Sequence, residues 1–144
     1  AVGALLRAAD TELLLVTAPE PRLVTETAAL ARALRGIGLG IGGIIVNRAL
    51  PRAFANATDG APPLDGVSAP LAGRLRRGYA DLRTLAARQR ATLAPLVTGA
   101  EAPIVAEVPL LETDPGSLAD LATVARHLFP EPAPTAAPAR GLGR

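Results

Sequence analysis

Two short runs free of polar residues, Leu13 to Val16 and Ile44 to Val46, flank a segment whose apolar positions recur at helical spacing. Such runs suit parallel strands covered on both faces better than the alternating strands of a half-exposed sheet. Between them, Leu23 to Arg35 sets Val24, Thr27, Ala31 and Leu34 on one stripe, with Leu23, Leu30 and Ile37 beside it. A parallel pair needs a crossover of this kind, so residues 13–51 predict one βαβ unit. A third run, Ile104 to Val108, predicts another strand, and the fold class expected is α/β with a parallel sheet. Ligands of open α/β sheets collect beyond the carboxyl ends of the strands, where Pro19, Glu20 and Asn47 fall.

The remaining elements follow from punctuation. Ala1 to Ala9 predicts a helix, Asp10-Thr11 a turn, and Glu12 to Thr17 the first strand. Pro19 and Pro21 end that strand, because proline cannot sit in a central ladder. Glu26 suits the positive end of the crossover helix, and Gly36 and Gly38 supply its stop. Gly38-Leu39-Gly40-Ile41-Gly42-Gly43 spells G-x-G-x-x-G, yet it follows a helix and opens a strand, the reverse of the dinucleotide fingerprint. It reads as a helix stop and loop beside close-packed backbone.

Ala49 to Pro70, rich in Ala, Pro, Gly and Asp, predicts a surface insertion without regular structure. Leu71 to Leu96 predicts a long helix with Leu71, Leu75, Tyr79, Leu82, Ala86, Gln89, Leu93 and Leu96 near one stripe. Arg74, Arg76, Arg77, Arg83, Arg88 and Arg90 stand mostly off it, as a solvated face, and Gly78 marks a weak point. Asp114 predicts the cap of a last helix with Pro115 at its first position and a buried stripe of Leu118, Leu121, Ala122, Ala125 and Leu128. His127 falls in its last turn, where dipole interaction or plain exposure accounts for it. Pro130 to Arg144 reads as a disordered Pro/Ala-rich tail.

Composition narrows the chemistry. Hydrophobic residues make up 49% of the 144 and aromatics 2%, so the core must be aliphatic. All fifteen basic residues are Arg, and the net charge of +2 is too small to argue for nucleic acid or membrane binding. Without Lys, a G-x-x-x-x-G-K-[ST] phosphate loop cannot exist in these residues. Without Cys there is neither a disulfide nor a thiolate metal site. No apolar run reaches the length of a membrane span, and a cytoplasmic protein is expected. The opening Ala1-Val2-Gly3-Ala4-Leu5-Leu6, like the end of a helix begun elsewhere, suggests a fragment.

Several segments taken in order carry a resemblance. Val16-Thr17-Ala18-Pro19-Glu20, Val24-x-Glu26-Thr27, Gly42-Gly43-Ile44-Ile45-Val46-Asn47-Arg48, Arg88-Gln89, Val105-x-Glu107-Val108-Pro109-Leu110-Leu111 and the helix Leu118 to Phe129 together resemble the second half of the arsenical pump-driving ATPases. That family includes the ATPases that target tail-anchored membrane proteins. The resemblance covers about residues 10 to 129 and diverges at 52–70. It implies a partial P-loop NTPase-like fold, its C-terminal half, with the P-loop absent. Residues 1–129 would form that portion, with 52–70 a variable insertion and 130–144 the tail.

The resemblance also implies a site. The family's adenine-reading Asn maps onto Asn47, and the loop that lines the base maps onto Pro109, Leu110 and Leu111. A carboxamide can accept from the adenine N6 amino group and donate to N7, as Asn does when it reads adenine in DNA. Read from its neighbours alone, without the resemblance, Asn47 better suits a cap of the turn before Pro51. Pro19, Glu20, Glu26 and Thr27 match a loop and helix near the family's subunit interface and receive no individual roles. The zinc site some members carry is excluded by the lack of Cys.

The function expected is an adenine-recognising portion of an ATPase. It would bind ATP, and hydrolyse it with Mg²⁺ only beside an N-terminal half that brings the phosphate loop. No catalytic residue and no metal ligand is assigned within these residues. The partners implied are that half or a homologous subunit in a dimer, with a membrane-protein client of the whole ATPase and no nucleic acid. The alternative is a non-catalytic interaction module using the sheet edge or the Arg-rich helix 71–96.

Overall fold

A computed structural model of the chain describes residues 2–56, 61, 63–112 and 114–129. Three strands, β1 (Leu13–Thr17), β2 (Ile41–Ala49) and β3 (Ile104–Pro109), form one sheet in the order β1-β2-β3, and both pairings are parallel. The α/β expectation holds at that level. Helix α1 is Val2–Leu5, shorter than the predicted helix over residues 1–9, and Ala1 and the tail at 130–144 lie outside the described residues.

Helix α2 (Pro21–Gly36) crosses from β1 to β2. It starts two residues before the predicted Leu23 because Pro21 occupies its first turn, where proline's fixed φ is already helical and its missing N–H costs nothing. Val24, Thr27 and Ala31 are buried as their spacing predicts, with Leu34 packed against the core, whereas Leu30 and Ile37 face outward. Gly36 is helical. Gly38, at φ +81°, is the left-handed residue of the stop. The G-x-G-x-x-G string behaves as loop and strand: a Cβ on Gly43 would collide with the Val105 side chain across the sheet.

The segment at 52–70 departs from expectation. Arg52–Asn56 forms a short helix, α3, and Phe54 stacks at a tilt on Tyr79 with ring centroids 5.7 Å apart. Of that segment, residues 57–60 and 62 lie outside the described residues. Helix α4 runs unbroken from Ala69 to Ala100. It passes through Gly78, which faces solvent, and through Pro95, which is also exposed. Its two halves differ. Leu93, Leu96 and Ala100 are buried in one cluster with α2 and the sheet, and Ala86 is buried as well, whereas Leu71, Leu75 and Leu82 of the predicted stripe stay exposed. At the far end, the Arg35 guanidinium donates to the carbonyls of Ala100 and Glu101, satisfying acceptors the helix leaves unpaired.

The last helix, α5 (Leu118–Leu128), corrects two expectations. Its N-cap is Ser117 rather than Asp114: Ser117 Oγ accepts from the Asp120 N–H at 3.2 Å, and Asp120 accepts from the Ser117 N–H at 3.0 Å, a reciprocal box. Pro115 therefore precedes the helix. None of its residues is buried. Leu118 and Leu121 are 86% and 53% exposed, and the partly covered side, which packs beside β3, carries Asp120, Thr123, Val124 and Leu128. The helix is anchored on one sheet edge, and among the described residues nothing buries its leucine stripe.

Candidate functional site

Strand β2 does not stop at Asn47. It continues to Ala49, and its pairing with β3 slips: Val46 lies opposite Glu107 and Ala49 opposite Pro109, so Asn47 and Arg48 together oppose Val108. This is a β-bulge, with Arg48 in the left-handed region at φ 58°. In a regular strand, consecutive side chains point to opposite faces. Here both are exposed and both line one cavity of about 680 Å³ at the carboxyl ends of β2 and β3. A non-glycine residue in that conformation costs about 1 kcal/mol.

All four residues the resemblance singles out, Asn47, Pro109, Leu110 and Leu111, line this cavity. Val16 and Ile45 floor it from the sheet, Val108, Val124 and Leu128 add apolar wall, and Glu112, Asp114 and Arg48 bring charge to it. A second cavity of about 370 Å³ lies across Asn47, bounded by Thr17, Leu23, Glu26 and Thr27 at the end of β1. Glu26 is engaged there by its helical neighbour Arg22 at 2.8 Å, and Pro19 is buried. Neither Pro19 nor Glu20 lines the larger cavity.

Asn47 Oδ1 accepts a hydrogen bond from the Arg48 N–H at 2.9 Å. That local bond is the turn-type role that Asn47's neighbours suggest, now serving the bulge. It uses one of the two lone pairs on the oxygen and none of the amide donors, so a two-point contact to a ligand is still open.

A charged network holds the bulge from the helix side. The Gln89 side-chain Oε1 accepts from the Leu50 N–H at 2.8 Å, and Arg90 Nη2 donates to the Leu50 main-chain carbonyl at 3.1 Å. Arg90 Nη1 also donates to Glu107 Oε1 at 2.6 Å, and Arg52 Nη2 reaches the same oxygen at 2.7 Å. Glu107 is only 15% exposed, and Arg90 24%. Burial pushes the Glu107 carboxyl up, but hydrogen bonds and charge from Arg90 and Arg52 outweigh it and hold the group below its ordinary value of 4.5. The same carboxylate raises Arg52. Gln89 and Arg90 grip the peptide three residues past Asn47, so the bulge is tied to α4 and β3 at once.

The sequence brought Asn47 and the 109–111 loop forward and missed Arg48, Arg90 and Glu107. Arg90 belongs to the network rather than to a solvated face. One signal was available: Glu107 is a lone carboxylate in an apolar strand, and such a group requires a partner. Nothing in the sequence marks Arg48, since Arg has no preference for left-handed backbone. His127 is exposed in the last turn of α5 and borders small cavities beside Glu107 and Arg52. Among the described residues no group of three or more His, Cys, Asp or Glu could hold a metal ion, and no helix is long and apolar enough to cross a membrane.

Compared with models of known protein families the chain matches none, and none of the curated proteins matches it either.

Proposed function

We propose that the chain is the adenine-recognising portion of an ATPase of the arsenical-pump type, a P-loop NTPase-like half whose phosphate chemistry comes from residues outside these 144. The observation that carries this reading is the convergence of Asn47, Pro109, Leu110 and Leu111, from two strands, on one cavity. The cavity's size and its mix of apolar wall and few polar groups suit a nucleoside. The apolar shelf takes the purine face, and the Asn47 carboxamide takes the N6 and N7 edge. A guanine would leave those polar groups mispaired, so the site should prefer adenine. ATP is the ligand, and the 144 residues supply base recognition. With no Lys, they provide no lysine-bearing phosphate loop. The complete site is formed with a phosphate-loop half or a homologous subunit, in a dimer working in the cytoplasm.

Titration of the chain with ATP and GTP, followed by NMR shifts or calorimetry, tests the reading. Weak binding with ATP favoured over GTP is expected, and Asn47→Ala should erase the preference by about tenfold. Equal binding of the two nucleotides, or binding unchanged by the substitution, would sink it.

A second reading, a protein-interaction module, is favoured by the open side of the sheet. Leu14, Val16 and Val105 are roughly half exposed on a parallel sheet, a class usually covered on both faces. The absence of any nucleotide binding would leave this reading in place.

A further inference from the structure

We infer that Arg48 is a ligand-binding residue of the cavity, its guanidinium stacking on the face of a purine whose edge Asn47 reads. The inference rests on the adenine reading above and assigns a second contact within that site.

Three observations carry it. First, the bulge at Asn47-Arg48 places two consecutive residues, both exposed, on the lining of one cavity, where a regular strand sends consecutive side chains to opposite faces. Had β2 kept its alternation, Arg48 would have followed Val46 toward the helix-covered face. Second, the bulge position is left-handed at φ 58°, where Gly is the residue without strain, and here it carries the bulkiest cation available. Third, Arg48 is exposed, and its guanidinium makes no hydrogen bond or ion pair among the described residues, although Arg35, Arg52 and Arg90 are all engaged. Glu112 and Asp114 border the cavity and do not pair with it. A planar cation that lines the same cavity as Pro109 and Leu110 can supply the second side of a slot for a flat ring. Guanidinium stacks on aromatic faces as well as pairing with anions, and an ammonium reproduces only the charge.

The test uses the 144-residue chain with adenosine, which has no phosphate, and compares Arg48→Gly and Arg48→Lys with Asn47→Ala. Gly adopts φ 58° freely, so Arg48→Gly should melt at or above the temperature of the parent chain. Its adenosine affinity should nevertheless fall by about fivefold, and Arg48→Lys should fall nearly as far. Adenosine binding that Arg48→Gly leaves intact while Asn47→Ala abolishes it would overturn the role of Arg48 alone. Full rescue by Lys would overturn stacking in favour of a point charge. If the parent chain binds neither adenosine nor ATP, the adenine reading fails and this inference falls with it.

Discussion

The two faces of the sheet are built from the same kind of residue and meet opposite fates. On the face toward α2 and α4, Leu15, Ile44 and Val46 are buried, with Ile44 at 0% exposure. On the other face, Leu14 and Val16 are 52% and 63% exposed, and α5 packs beside β3. The helix-covered face supplies stability. The open face supplies a cavity, because the bulge at Asn47-Arg48 and the loop after β3 rise around it. Hydrophobicity in this sheet therefore means core on one side and, on the other, exposed apolar surface around a cavity.

Truncation on each side sharpens that contrast most. Ile44→Ala should cost about 3–4 kcal/mol in urea unfolding, the loss expected of a fully buried branched chain whose cavity cannot close. Val16→Ala, two-thirds exposed, should cost under about 0.5 kcal/mol. Similar losses at the two sites would mean that the open face is covered in solution.

The network behind the bulge comes next. Glu107→Ala leaves Arg90 without its carboxylate, and a loss of about 2 kcal/mol is expected, with faster amide exchange at Leu50. The carboxyl is held below its ordinary value of 4.5, so its contribution is complete above that value and fades as pH falls through the lower, folded-state value. Stability measured from pH 6 down to pH 2 should therefore drop more steeply in the parent chain than in Glu107→Gln. Parallel pH profiles for the two would show that the ion pairs add nothing.

A smaller effect than at Ile44 or Glu107 belongs to α5, which packs beside β3. Ser117→Ala removes half of the reciprocal cap and should cost about 1 kcal/mol, read as loss of protection in α5 with β1 and β2 unaffected. If the whole sheet loosened as well, α5 would be part of the core rather than a flank.

Much of the framework was legible because it is local. Apolar runs located all three strands, and helical spacing located α2 and most of α4. The G-x-G-x-x-G string was correctly set aside because its context, helix before strand, is itself a sequence property. The misses share one cause. Asp114-Pro115 and Ser117-x-x-Asp120 are both good helix starts, and which one caps depends on where the chain leaves β3. The leucines of α5 and of the first half of α4 have the spacing of a buried stripe, but spacing cannot say whether a second layer covers it.

By itself, then, the sequence determined a parallel α/β sheet, an aliphatic core, the lack of a lysine-bearing phosphate loop, and the placing of Asn47 near a strand end. These follow from short-range patterns and residue inventory. Only the tertiary structure decided which sheet face is covered, that Asn47 and Arg48 share a bulge, and that Glu107, Arg90 and Gln89 hold it. A bulge is a mismatch between two strands more than fifty residues apart, and burial is a property of neighbours, so neither is written in any one stretch of the chain.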